Sequence, residues 1–330
     1  MAGISSSRGL WLRLVVGFII GVGSIVLALR AVNFEDVTTT LRATNPALTL
    51  AALGSLLLTT YAKAARWTAF AGLSQGASWL LVPGLVIGQL FNTLIPARVG
   101  DLARVVVGSE ATGLGKAFLL GTIVLEKLVD GLCVLLVAAL VLPFLQLPDW
   151  LLTSGLDVAL SVLVLGGGIT GMLLIGDRLL ALAAPPLGRI PGRWGERLTR
   201  ALADALRGLG GLRTWPQRGW VAWWSLVTWT SMIATNLLVF EAVGLEAGLS
   251  AAVLVLIAVT LGGSVPSIPG RVGVFHSLVV APLLLTGADP ARAVSVAVVL
   301  HLLVVSTQVV LGVFFIWRES VDPRRLAELK

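Results

Sequence analysis

A single cysteine among 330 residues excludes an internal disulfide and any thiolate metal cage. That residue, Cys133, stands in an apolar run and reads as a small buried hydrophobe. Histidine is nearly as scarce: His276 and His301 are two, too few for an imidazole metal site without carboxylate help. Walker-type phosphate loops are lacking, so nucleotide hydrolysis is not an expected energy source and no cofactor is expected. Charge is sparse as well. Only 12% of residues are charged against 57% hydrophobic, and the mean hydropathy is +0.96, which no water-soluble core of ordinary composition could accommodate.

What is present is a chain of long apolar runs. Stretches near 12–30, 47–67, 117–142, 156–176, 219–242 and 292–317 each have about the 17–25 residues that a spanning helix needs. The first follows Arg8 and Arg13 but ends in Ala-Leu-Arg-Ala, which is no signal-peptidase site, so it reads as a retained helix. Two further stretches, 79–108 and 250–287, are broken at Pro96 to Gly100 and at Pro266 to Gly273. The motif Pro96-Ala-Arg98-Val-Gly100-Asp101 is echoed by Pro269-Gly270-Arg271-Val-Gly273-Val274, and paired breaks of this kind mark transporter-type sites.

Basic residues set the orientation. Segment 177–218 holds eight arginines against Asp177, Glu196 and Asp204, so it is expected on the cytoplasmic side, whereas 143–155 has no Lys or Arg and is expected outside. The net charge of +7 then serves orientation and contact with anionic lipid, not nucleic acid. Parity makes stretch 79–108 begin and end inside and stretch 250–287 begin and end outside. Each is either a re-entrant hairpin or two short crossings, and the short broken pieces favour re-entrance.

The expected fold is therefore an all-α polytopic membrane protein. Six spanning helices and two re-entrant broken hairpins form an inverted repeat, 47–142 and 219–317, in one transmembrane domain over 1–330. The linker 177–218 carries an amphipathic helix near 195–210, with Leu198, Leu202, Leu206 and Leu209 on one stripe. Trp215, Trp220, Trp223, Trp224 and Trp229 form an expected interfacial belt. Both termini are expected in the cytoplasm, with the chain in the inner or plasma membrane.

Charges at bilayer depth cost about 2.5–3.5 kcal/mol each on insertion scales, so clusters of them need pairing or a function. Three clusters qualify: Asn92, Arg98, Asp101 and Arg104; Glu126, Lys127 and Asp130; and Arg271, His276 and His301. Spacing allows Asp101 to pair with Arg98 or Arg104 along a helix, and sets Glu126 and Asp130 on one face. Arginine forks match phosphate oxygens, and Gly100 and Gly273 would let backbone N–H groups approach the same anion, with Pro96, Pro269 and Gly270 as hinges. The bland alternative is that these charges only neutralise one another.

Three segments carry a resemblance: Asn92-Thr-Leu-Ile-Pro96-Ala-Arg98-Val-Gly100-Asp101-Leu-Ala-Arg104, Val124-Leu-Glu126-Lys127-Leu-Val-Asp130, and Val265-Pro266-Ser-Ile-Pro269-Gly270-Arg271-Val-Gly273-Val-Phe275-His276. With them the chain resembles the lysylphosphatidylglycerol synthase transmembrane, flippase-like, family from about 12 to 317. The resemblance implies an inner-membrane protein that moves phospholipids or related amphiphiles between leaflets, in some members beside a soluble aminoacyl-transferase domain. That domain is not expected here. The chain departs from the family pattern at Asp101 (usually Glu), Lys127 (commonly Arg), Arg271 (commonly Gly), His276 (typically Glu) and His301 (typically Arg).

Together these readings give a lipid flippase or scramblase. A phospholipid or other lipid phosphate would be held by Arg98, Arg104 and Arg271 and ordered by Asp101, Glu126 and Asp130, with Asn92, His276 and His301 beside them. The rivals are a membrane partner of a separately encoded synthase or glycosyltransferase, and an integral-membrane lipid-modifying enzyme with Asp101 or Glu126 as base. A homodimer is left open.

Overall fold

The computed structural model describes residues 34–94, 99–141, 164, 199–200, 203–204, 206–208, 212, 214–262 and 269–319. Among these the chain is helical, with no β-strand. The helices are α1 (Phe34–Arg42), α2 (Pro46–Phe70), α3 (Ser78–Leu94), α4 (Gly100–Thr112), α5 (Lys116–Val141), α6 (Trp215–Val243), α7 (Leu249–Gly262), α8 (Val274–Leu285) and α9 (Pro290–Arg318). The expected spans at 12–30 and 156–176 lie outside the described residues, apart from Val164.

Local chemistry sets the helix starts. Asn45 accepts from the backbone N–H of Ala47 and Leu48 with Pro46 behind it, and Asp289 accepts from Arg292 N–H with Pro290 behind it. Thr214 and Gln217 close a reciprocal capping box at α6. Gly113 and Gly244, both at positive φ, end α4 and α6.

Four helical stretches are long and apolar enough to cross a membrane: Pro46–Phe70, Gln75–Leu94, Trp215–Val243 and Pro290–Arg318. Three of them coincide with expected spans. The fourth differs from expectation, because the helical run before the first break begins at Gln75, with a one-turn 3-10 segment leading into α3, and reaches 20 residues. The arm after the break, α4, has 13 residues, about 20 Å against a hydrocarbon core of about 30 Å. Helix α5 has the length for a span, 26 residues, but carries Glu126, Lys127 and Asp130 in its middle.

Helices α2 and α6 run antiparallel in close contact. Asn45 N–H bonds Ala242 O at one end, Ser55 Oγ donates to Ser231 O at 2.8 Å near the middle, and Arg66 meets Ser225 beyond it. Thr59 and Thr235 join the same seam, small hydroxyl residues that let two backbones approach within the membrane. Helices α3 and α4 fold back on each other as an antiparallel hairpin through glycines. A Cβ on Gly100 would fall 1.9 Å from Gly88 O, and one on Gly88 would fall 2.7 Å from Gly100 O. Helices α7 and α8 make the second hairpin, with Gly262 against Leu278. Helix α9 packs on both hairpins, touching Leu90 of α3 at Gly312.

The tryptophan belt is mixed. Trp215 is 81% exposed and Trp223 53%, but Trp229 is buried and Trp224 Nε1 donates to Gln75 Oε1 at 2.7 Å. Of the 195–210 segment, the described residues are helical, and Gly208 packs so tightly on α5 that a Cβ would lie 2.1 Å from Phe118 O.

Candidate functional site

Helix α2 continues four residues beyond Arg66, to Phe70, so Arg66 is a helix-interior residue and is completely buried. Its Nη2 lies 2.8 Å from Asp130 Oδ1 and 3.6 Å from Glu126 Oε1, while its Nη1 donates to Ser225 Oγ at 3.4 Å. Glu126 takes a second cation: Arg104 Nη2 donates to Glu126 Oε2 at 2.5 Å. The Arg104 guanidinium also lies 3.9 Å from the Trp67 ring centre, and Trp67 in turn donates to Thr122 Oγ1. Two arginines and two carboxylates from α2, α4 and α5 thus form one neutral network, buried except at Asp130, whose side chain is 29% exposed. Removing these charges from water costs several kcal/mol per ion, which their close pairing offsets. The Nε groups of Arg66 and Arg104 are buried with no hydrogen-bond partner among the described residues.

The first break is organised by Asn92. Its Oδ1 accepts from Gly100 N–H at 2.9 Å and its Nδ2 donates to Asp101 Oδ1 at 3.4 Å, so a side chain from the end of α3 serves the free N-terminus of α4. Asp101 also faces Lys127 Nζ at 3.8 Å. Spacing had allowed an Asp101–Arg104 pair. The structure instead turns Arg104 into the interior toward Glu126 and leaves Asp101 to Asn92 and Lys127, because burial between Gly88 and Trp67 fixes which way Arg104 points. Thr93 at the same tip bonds Gln308 of α9. Arg98 and Pro96 lie outside the described residues.

The second break is built differently. Gly270, Arg271 and Gly273 have φ of 78°, 54° and 85°, a run of left-handed backbone that glycine accepts and arginine adopts at a cost of order 1–3 kcal/mol. His301 of α9 holds the turn by its Nε2, 2.7 Å from Gly270 O. His276 accepts from Gly273 N–H through Nδ1 at 3.4 Å, and its ring lies 4.7 Å from that of His301. Pro269 begins the turn.

Both breaks open on one cavity of about 390 Å³. Asn92, Asp101, Arg104, Glu126 and Asp130 line it from the first half, and Gly270, Arg271 and His301 from the second. His276 stands one ring behind His301, and Gly100 and Gly273 support the wall without lining it. Sequence reasoning missed Lys63 and Arg66. Lys63 lines the cavity and Arg66 anchors the network behind it. The available signal was their position in an apolar run whose helical spacing continues past them. Gln308, a polar residue inside an otherwise apolar helix, was missed too.

Comparison with curated proteins and with solved structures returned no match. A family model described as lysylphosphatidylglycerol synthase TM region matches residues 13–312, which takes in every helix described above except the last turns of α9. With an all-helical core, a charge network among apolar helices and a match over nearly its full length, the chain belongs to the lysylphosphatidylglycerol synthase TM region family, membrane proteins of lipid metabolism or translocation.

Proposed function

We propose that this protein translocates a phospholipid or other lipid-linked phosphate between the leaflets of the inner or plasma membrane. The observation that carries the reading is the shared cavity: two interrupted hairpins, far apart in sequence, line one polar space inside an apolar protein. Irregular backbone at membrane depth is tolerated where it is enclosed by protein or borders a wet cavity, since unpaired backbone groups cost several kcal/mol each in lipid. The two hairpins are taken as re-entrant from opposite faces. Support comes from the antiparallel course of α2 and α6, which open the two halves, and from the order that follows each of them, an interrupted helix pair and then a long helix. That order suits an inverted repeat, and cytoplasmic termini are part of the proposal.

In this scheme the second-half turn brings Arg271 to a lipid phosphate, and Arg98 is assigned the same role from the first tip. Arg104, 4% exposed and engaged by Glu126 and Trp67, holds the first hairpin against α2 and α5. Transport is downhill or ion-coupled. The test is leaflet exchange of tail-labelled lipid in proteoliposomes, comparing wild type with Arg271→Ala and Glu126→Ala proteins that elute as monodisperse species. Exchange should fall at least to about a tenth in both, the size of effect that loss of one charge-assisted contact produces. Exchange equal to that of wild type in both variants would sink the proposal.

A further inference from the structure

Among the described residues, the charged side chains on the cavity wall do not all pair off, and the one left over has a location. The buried network of Arg66, Arg104, Glu126 and Asp130 is neutral in sum. Outside it, among the described residues, the wall carries Lys63 and Lys127 against the carboxylate of Asp101. Each of the three lining carboxylates already has a protein cation within 3.8 Å. Lys63 is the contrasting case. It sits on α2 one turn before Arg66, is half-buried, lines the cavity, and has no carboxylate at ion-pair distance among the described residues.

A positive surplus inside an apolar protein is weakly screened and attracts compensating charge strongly. A volume of 390 Å³, near the lower end of about 300–1,000 Å³ for small-molecule sites, suits a headgroup while the acyl chains stay in the bilayer.

We infer that the cavity selects lipids whose headgroup is negatively charged overall, and that Lys63 sets this preference by contacting the headgroup anion. The inference rests on the transport reading for its site and adds the charge class of the cargo and the residue that discriminates it. A zwitterionic lipid would bring its ammonium against Lys63 and Lys127, and a cationic lipid would add like charge to a wall already in excess.

The experiment has a binding arm and a transport arm. Retention of phosphatidylglycerol, phosphatidylcholine and a cationic alkylammonium lipid by the purified full chain is measured by native mass spectrometry, and exchange of tail-labelled versions is measured in proteoliposomes. Wild type should hold phosphatidylglycerol about tenfold or more better than the cationic lipid. Lys63→Gln should flatten that ratio, Lys63→Glu should invert it, and Lys63→Arg should keep it. Lys63 belongs to no ion pair among the described residues, so Lys63→Gln breaks none, and the arginine variant, which keeps the charge beside Asp130 and Arg66, controls for folding. Equal retention of all three lipids, or a ratio unchanged in Lys63→Gln, would overturn the inference. Glycerol 3-phosphate competing as well as the intact lipid would also overturn it, by making a soluble anion the ligand. Exchange of all lipids without discrimination would keep the transport reading and refute the charge class. Selective binding with no exchange of any lipid would do the reverse.

Discussion

The two interrupted hairpins meet in one cavity yet are held by different forces. The tip at α3 and α4 is fixed by charge and by glycine packing: Arg104 reaches Glu126, Asp101 faces Lys127, and Gly88 and Gly100 bring the backbones together. Among its described residues the turn before α8 carries one charge, Arg271, and it rests on left-handed backbone, the His301 bond to Gly270 O and the edge-to-face contact of two histidine rings. Its neighbouring helices are more apolar as well, and α6 to α9 share one large hydrophobic cluster. The lesson is that similar motifs, Pro-Ala-Arg-Val-Gly and Pro-Gly-Arg-Val-Gly, can close a tip through long-range ion pairs in one half and through local backbone geometry in the other. The first tip is expected to dominate stability and the second to affect transport with little loss of stability.

The sharpest way to break the comparison is at Arg66. Replacing Arg66 with Met takes one of two cations from buried Glu126 and the ion-pair partner of half-buried Asp130, and should cost about 3 kcal/mol, read as a large fall in the thermal unfolding midpoint in detergent. If Arg66→Met melted like wild type, the network would not be what holds the first tip. Next comes Gly100→Ala, whose Cβ would strike Gly88 O and Asn92. Spreading α3 from α4 should cost about 1–3 kcal/mol by the same readout and reduce exchange with it.

The second half should respond more gently. His301→Phe removes the bond to Gly270 O and should cost about 1 kcal/mol, while exchange in proteoliposomes drops by a larger factor than the melting shift implies. A stability loss matching that of Arg66→Met would erase the contrast between the two tips. The smallest effect belongs to Lys127→Gln. With its side chain 52% exposed and 3.8 Å from Asp101, the pair should contribute no more than about 1 kcal/mol, so unfolding should scarcely move.

Much of this was legible before any coordinates. Hydropathy marked α2, α6 and α9, and the Pro/Gly breaks marked both hairpins. The low tolerance of lipid for charge singled out Glu126 and Asp130. What was not legible was partnership. An Asp101–Arg104 pair satisfies helical spacing, yet the observed partner of Arg104 is 22 residues away on another helix. Spacing along one helix says which side chains share a face, not what that face meets. Lys63 and Arg66 were not legible for a related reason, since a basic residue near the end of an apolar run satisfies the topology rules whether or not it also has a partner inside.

Asn92 is a like case. The sequence marks it as a candidate beside Asp101, but its amide comes to serve the start of α4 only because the chain doubles back.

Composition and periodicity alone were enough to require a helical membrane protein with two interrupted segments, because apolar length and backbone hydrogen bonding leave few other solutions in lipid. Which charges neutralise each other, and which cation is left over to face the cavity, depended on how α2, α4 and α5 are rotated about their axes. That rotation is settled by glycine contacts and buried aromatic surface between helices distant in sequence, so it exists only in the folded molecule.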